Sequence, residues 1–333
     1  MSVTCVALSA CESSTGAAES AVTPELQSAR VALGRLLFYD PIVSGDAETA
    51  CATCHSEHWG MGDGLALPIG VGGGTLSGPG RTGDAIGRRN APSLWNAGAR
   101  SALFWDGRAS SLEEQAMLPF ENDRELALPI EDALAAIADV DEYASRFAAA
   151  FPNARPSVTA VTLTAALAEF QRTLVSEHAP YDAYLAGDTG ALSATMREGL
   201  SLLDELGCQS CHEPPLFQSD RYAKRVPAVD DMGRYEVTGA EEDRGAFRVP
   251  TLRNARETGP YFHDGSVVTL REAVELEVEA QVAAGMRRPS AAEIGALTEL
   301  ISKGLLDLSN DPDRPEEVPS GLPIPRDGFR IPR

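Results

Sequence analysis

No run of eighteen apolar residues occurs in this 333-residue chain, which excludes a long hydrophobic membrane-spanning helix. Positive charge is scarce. Lys and Arg number 28 against 49 Asp and Glu, and the formal net charge of −21 argues against nucleic acid as a partner. That charge suits steering toward a basic protein such as a small cytochrome, and equally suits a plain solubilising surface. Few stretches alternate with period two, so the pattern predicts a mainly α fold. Cysteine is sparse as well: Cys5 and Cys11 lie near the start, and the other four fall in two short motifs, leaving none for a disulfide in the body. The Gly-rich stretch 60–87 is not followed by Lys-Ser or Lys-Thr, so a phosphate-binding loop is excluded. It reads instead as an irregular wrap over a cofactor edge.

The two cysteine motifs carry the chemistry. Cys51-Ala52-Thr53-Cys54-His55 and Cys208-Gln209-Ser210-Cys211-His212 each place two thiols three positions apart with a histidine directly after. This is the covalent attachment pattern of c-type haem, in which the thiols add to the vinyl groups and the imidazole binds the iron. The competing readings are a thioredoxin-like redox pair or a zinc site built from both pairs, neither of which requires the two histidines. Two covalently bound haems, with Cys51, Cys54, His55, Cys208, Cys211 and His212 as their attachments, are therefore expected. His58 and His178 are not assigned to iron: one sits on a sharp loop beside a ligand, the other at a helix end.

Around these motifs the chain divides into an N-terminal segment (1–23), a first haem domain (24–179) and a second haem domain with a Pro-rich tail (180–333). Leu8-Ser9-Ala10-Cys11 resembles a lipobox, with Cys11 as the acylated residue, although the preceding segment lacks a positive n-region. A single anchor there, followed by the polar stretch 12–20, would tether the body to a membrane surface. Leu26, Arg30, Leu33, Leu37 and Phe38 make a helical stripe that Asp40-Pro41 ends. Further helices are expected over 112–118, opened by Ser110 with Glu113, and over 129–138, 141–150 and 157–175, the last with Pro156 in its first turn. Met196, Leu200 and Leu203 form the stripe leading into the second motif. Thr269 with Glu272 and Ser290 with Glu293 cap two more helices. The tail from Asn310 carries six prolines and should run extended over the surface.

Five further stretches give a resemblance. They are Arg89-Asn90-Ala91-Pro92; Phe104-Trp105-Asp106-Gly107-Arg108 with Ser111-Leu112-Glu113-Glu114-Gln115; Phe170-Gln171-Arg172-Thr173-Leu174; Phe247-Arg248-Val249-Pro250-Thr251-Leu252-Arg253-Asn254; and Pro260-Tyr261-Phe262-His263-Asp264-Gly265-Ser266. In order and spacing they resemble the bacterial di-haem cytochrome c peroxidases and their MauG-like relatives, over about 33–305. The resemblance implies two tandem cytochrome c-like α domains joined by long irregular loops, in a periplasmic protein. The first haem reacts with hydrogen peroxide and the second transfers electrons, supplied by a small cytochrome or copper protein. In the MauG-like alternative, peroxide is used to modify a residue of a partner protein. A pure electron carrier is the reading from a different class.

The resemblance also carries roles. Trp105 matches the tryptophan between the haems. Gln115, Pro119 and Glu125 match residues on the peroxide side of the first haem. Asn90, Thr258 and Pro260 match the holders of a calcium ion, and their oxygens suit it. Arg248 and His263 match positions of the second domain near its cofactor. Glu125 is a carboxylate able to move a proton between peroxide oxygens. Its bland reading is an exposed charge on the polar loop 121–125, and that of Asn90 and Thr258 is turn chemistry beside Pro92 and Pro260. Two departures stand out. Where several family peroxidases have a distal histidine, this chain has Val71, so the first iron is expected to lack a strong distal ligand. Where family peroxidases place Met and MauG-like members Tyr, this chain has Glu277. Leu270, Ala273, Val274 and Glu277 share a helical face, which makes Glu277 the candidate distal ligand of the second iron.

Overall fold

The computed structural model describes residues 23–224 and 230–327; the lipobox-like stretch and Cys5 and Cys11 lie outside them. The first helix, α1 (Pro24–Tyr39), opens with Pro24 in its first turn and the Thr23 hydroxyl accepting from Leu26 N–H. It buries Leu33, Leu37 and Phe38, as the stripe requires. Asp40 ends it and caps the next turn by accepting from Ile42 N–H at 2.9 Å. Then come α2 (Cys51–Cys54), the long loop with the short strand β1 (Leu76–Ser77), α3 (Leu112–Met117), α4 (Ile130–Ala138), α5 (Asp141–Ala150) and α6 (Ala160–Arg172). These pack Leu33, Leu37, Phe38, Tyr39, Phe120, Phe147, Leu163 and Phe170 into one core. A second core gathers Leu202, Leu203, Phe217, Val274, Val278, Leu297, Leu300 and Leu305. It is built by α7 (Pro180–Leu185), α8 (Ala194–Glu205), α10 (Leu270–Ala283) and α11 (Ala291–Glu299), with the hairpin strands β2 (Tyr222–Lys224) and β3 (Ala246–Arg248) and the short α9 (Tyr235–Thr238) on its flank. The fold is mainly α, as periodicity predicts. Among the described residues no helix is long and apolar enough to cross a membrane.

Three helix starts differ from expectation. The cap of α3 is Ser111, which accepts from Glu114 N–H at 3.1 Å, while Ser110 is instead held by the Glu114 carboxylate. Helix α6 starts at Ala160 under a Thr159 cap rather than at Ser157, because Thr159 and Thr162 close a reciprocal box that Pro156 cannot offer. Pro129 precedes α4 as its cap position. The caps at Thr269 and Ser290 stand as expected.

The same backbone path occurs twice at one constant spacing along the chain. Asn96 and Asn254 both adopt left-handed conformation, as do Phe104 with Phe262 and Gly107 with Gly265. The bridge Leu103–Ala109 is repeated by Tyr261–Val267. Ser111 opens α3, and Thr269 opens α10. Each asparagine side chain accepts a backbone N–H from the end of its own core: Ser176 for Asn96 (3.0 Å) and Asp307 for Asn254 (2.7 Å).

The tail does more than cover a surface. Val318 is buried in the first core and Ile324 packs against it. Ser320 Oγ donates to the buried Asp40 at 2.6 Å, and Tyr143 Oη donates to the same carboxylate at 2.6 Å. β4 (Arg326–Asp327) runs parallel to β1. The apolar residues between the prolines explain this docking, since each gains by leaving water.

Both cores close on a glycine. A Cβ on Gly34 of α1 would stand 1.9 Å from the Ala166 carbonyl oxygen of α6, and one on Gly199 of α8 would stand 2.4 Å from that of Ala296 on α11. The facing atom is backbone and cannot swing away. Gly34→Ala is expected to lose about 1–3 kcal/mol in denaturant unfolding, the usual range for overpacking. Gly295→Ala, whose Cβ meets nothing closer than 3.9 Å, should be neutral or stabilising. Equal stability for both variants would show that the helices do not cross this closely.

Candidate active site

The single helical turn of α2 puts Cys51 and Cys54 on one side, because residues three apart share a helix face. His55 follows, its backbone N–H bonded to Cys51 O at 3.0 Å. The second motif repeats this on the 3-10 turn Cys208–Ser210, with His212 N–H on Cys208 O at 2.9 Å. Each motif lines its own cavity. The first, of about 510 Å³, takes in Cys51, Cys54 and His55 together with Trp105, Gln115, Pro119 and Glu125. The second, of about 260 Å³, takes in Cys208, Cys211 and His212 with Asn90, Thr258, Pro260, His263 and Glu277. Asn90, Ala91, Pro92, Ser93, Arg100, Trp105 and Arg248 border both and form a common wall.

The donor chemistry fits c-type haem. Burial pushes the Cys51 thiol up to about 12 and the Cys208 thiol to about 11, and raises Cys54 with help from the nearby Asp63. The two pairs face different cavities, and among the described residues no three His, Cys, Asp or Glu side chains converge on one metal. A zinc site built from both pairs is not supported by this placement. His55 Nδ1 faces Met61 O at 3.0 Å, and His212 Nδ1 faces Phe217 O at 3.3 Å. These contacts fix the tautomer and leave Nε2 for iron. Burial lowers both imidazoles, His212 to about 4, which keeps them neutral as ligation requires.

In the first cavity Glu125 is half-buried rather than exposed on its loop. Its carboxylate accepts from Asn122 Nδ2 at 2.6 Å. Burial raises its pKa, with Arg108 and the Asn122 bond opposing. Gln115 sits on α3 and Pro119 just after it. Val71, at the place of a family distal histidine, does not line this cavity; its N–H bonds to Glu125 O at 3.0 Å. The Gly-rich loop is held by Arg81, which is buried and donates to the carbonyls of Ile69, Gly70, Gly74 and Leu76 and to Thr49 Oγ1.

Trp105 is buried and donates its indole N–H to Asn90 O at 2.8 Å. Asn90 Nδ2 donates to Leu65 O at 2.8 Å, which leaves its Oδ1 for a cation. Arg248 Nε donates to Phe104 O at 3.0 Å, and burial lowers its pKa to about 10. His263 stacks on Phe247 with ring centres 3.7 Å apart. Leu270, Ala273, Val274 and Glu277 all line the second cavity from α10. Glu277 itself is exposed there, so the protein alone does not impose the desolvation cost expected for it. Glu275 and Glu279 pair with Arg271 and Arg288 away from the cavity. His58 Nε2 lies 2.9 Å from Asp327, and His178 is exposed near Asp307; neither lines either of these two cavities.

Sequence reasoning passed over Asn122, Arg81, Arg100 and Asp63. Asn122 could have been found as the amide three residues before Glu125. Asp63 and Arg81 bond mainly to backbone groups of their own loop and Arg100 to carbonyls far away in sequence, and neither kind of partner leaves a residue-type signal.

Residues 28–190 match the family model of the di-haem cytochrome c peroxidases. The chain is 38% identical to the cytochrome c551 peroxidase of Nitrosomonas europaea over 264 residues, covering 77% of this chain and 74% of the relative. It is 37% identical to the methylamine utilization protein MauG of Methylorubrum extorquens, covering 81% of this chain and 72% of that protein. Among solved structures it is similar to a MauG-like protein associated with microbial copper homeostasis, at 27% identity and a TM-score of 0.74 over 85% of this chain and 91% of that one. The diheme peroxidase BthA of Burkholderia thailandensis shares the fold, with a TM-score of 0.69 at 22% identity over 91% of each chain.

One buried acid makes a separate test. Asp63 has no partner for Oδ2, and burial pushes its pKa up to about 7. A raised folded pKa adds stability below the unfolded value, near 4, and that stability is lost as pH rises through 7. Asp63→Asn removes the dependence. The variant's melting temperature relative to wild type is therefore expected to climb between pH 5 and pH 8. A difference that stays flat over this range would mean the carboxyl is solvated.

Proposed function

We infer that this chain, which belongs to the di-haem cytochrome c peroxidase family, reduces hydrogen peroxide to water with electrons from a small redox protein. The observation that carries this reading is the pair of Cys-x-x-Cys-His cavities meeting at one wall that contains Trp105. Cys51, Cys54 and His55 would hold one haem, and Cys208, Cys211 and His212 the other, in two tandem cytochrome c-like domains. Bound there, the haems supply the iron that accepts peroxide and the electrons that reduce it.

The chain's own residues do the rest. Glu125, held by Asn122 and kept basic enough by its raised pKa, takes the proton from the near peroxide oxygen and returns it to the far one. The Gln115 amide orients the peroxide, and Pro119 limits the space beside it. Trp105 relays electrons across the wall. His263 and Arg248, which line the second cavity, would flank the second haem. Asn90 Oδ1 and the carbonyls of Thr258 and Pro260 would hold one calcium ion between the domains. A periplasmic location suits covalent haem attachment, and Cys11 is the proposed site of a lipid tether.

Two residues favour the MauG-like alternative, in which peroxide oxidises a residue of a partner protein. Val71 leaves the first haem without a distal histidine, so peroxide should bind the diferric form directly. Glu277, on the cavity-lining face of α10, is the proposed distal ligand of the second iron. An anionic oxygen ligand favours Fe(III) and a low potential. Glu277→Gln should then change the second haem's spin state and raise its potential; unchanged spectra would remove Glu277 from the iron.

Peroxide turnover with a reduced small cytochrome tests the main reading. Glu125→Gln is expected to cut kcat/KM for peroxide by about 10²–10⁴-fold, the range for losing a general acid–base, with both haems retained. Wild-type protein that carries two haems yet turns over no peroxide with any reductant would leave only electron transfer.

A further inference from the structure

Arg100 belongs to the first body of the chain, yet it borders both cavities. It follows the 3-10 turn Ala97–Ala99 and is half-buried. Its Nη1 donates to Ser219 O at 3.4 Å and Val249 O at 3.2 Å, both from the second body. The neighbouring Ser101 fastens the same loop, since its N–H bonds to the Asp220 carboxylate at 3.0 Å. Ser219 Oγ donates in turn to Cys211 O at 2.6 Å, and Phe217 O is the acceptor at His212 Nδ1. The guanidinium is therefore anchored on the loop that carries the second proximal histidine.

That charge has no anion of its own. The hydrogen bonds of Arg100 and Arg248 go to backbone carbonyls, and among the described residues neither forms an ion pair. Burial drives Arg100 well below the ordinary arginine pKa, Arg248 presses the same way, and Asp220 opposes without pairing. Two guanidiniums sharing a partly desolvated wall are costly unless an anion comes to them. Haem carries two propionate carboxylates, the anionic groups that an arginine fork grips best.

We infer that Arg100 holds a propionate of the second haem and that its charge sets that haem's potential, so that one domain tunes the cofactor of the other. The inference rests on the two-haem reading. A cation beside the cofactor stabilises the ferrous state and raises the potential. Arg100 thus acts as a positioning residue for electron entry, opposing the low potential that an anionic ligand at Glu277 would impose.

The test compares Arg100→Gln with Arg100→Lys in full-length protein matured in a haem-attaching host. Intact mass comes first. Wild type without two haems would overturn the cofactor reading itself. Spectroelectrochemical titration then separates the two haems. In the Gln variant the second haem's midpoint should move to more negative potential, with the first moving less, and the Lys variant should keep most of the wild-type value. A Gln variant that loses the second haem while the Lys variant keeps it also supports the inference. An unmoved second midpoint in the Gln variant overturns it. So do equal shifts, or equal haem loss, in both variants.

Discussion

The indole of Trp105 donates to the carbonyl of Asn90, and that bond ties together the strip of chain dividing the two cavities. Everything else in the site is placed relative to it. Phe104 must take a left-handed conformation to present Trp105 at the wall, and Arg248 fastens the Phe104 carbonyl from the other body. Positive φ at a bulky residue costs roughly 1–3 kcal/mol. The surrounding hydrogen bonds hold it there, and the repeat of the same twist at Phe262 places His263 in the second body where Trp105 stands in the first. The two halves thus use one backbone solution and differ in the side chain it presents.

That difference separates the chemistry. In the first body, α3 and the loop after it bring Gln115, Pro119 and Glu125 to the cavity, with polar atoms facing the space where peroxide would bind. In the second, α10 brings Ala273, Val274 and Glu277 to the corresponding place, a mostly apolar face with one carboxylate. The first cavity thus receives an amide and a carboxylate from its own helix and loop, and the second a mainly aliphatic helix face with one carboxylate. The cations of the common wall, half-buried Arg100 and buried Arg248, then stand between the two cavities.

Much of this was legible in the letters. The two haem motifs, the α1 stripe and the caps at Thr269 and Ser290 are local patterns, and local patterns survive folding. Glu125 was legible only through resemblance, because a carboxylate in a polar loop looks solvated until the Gly-rich loop is laid against it. The repeat of Asn96, Phe104 and Gly107 by Asn254, Phe262 and Gly265 is written in the letters as well, since Pro92-x-Leu94-x-Asn96-Ala97 returns as Pro250-x-Leu252-x-Asn254-Ala255 and Phe104-x-Asp106-Gly107 as Phe262-x-Asp264-Gly265, but the two copies lie too far apart in the chain for any local pattern to join them. Six prolines make the tail look like an extended run over the surface and hide the fact that Val318 and Ile324 between them can be buried. Arg81 acts through carbonyls of its own Gly-rich loop and Arg100 through carbonyls far away in sequence, and no spacing rule finds a side chain whose partners are backbone.

The central claim is that the two haem sites work as one unit across the wall built around Trp105. Its most direct test is an electron paramagnetic resonance titration of the diferric protein with one equivalent of hydrogen peroxide. The account predicts that the ferric signals of both irons fall together. Loss of the first signal alone, with the second haem's signal persisting through the reaction, would contradict it.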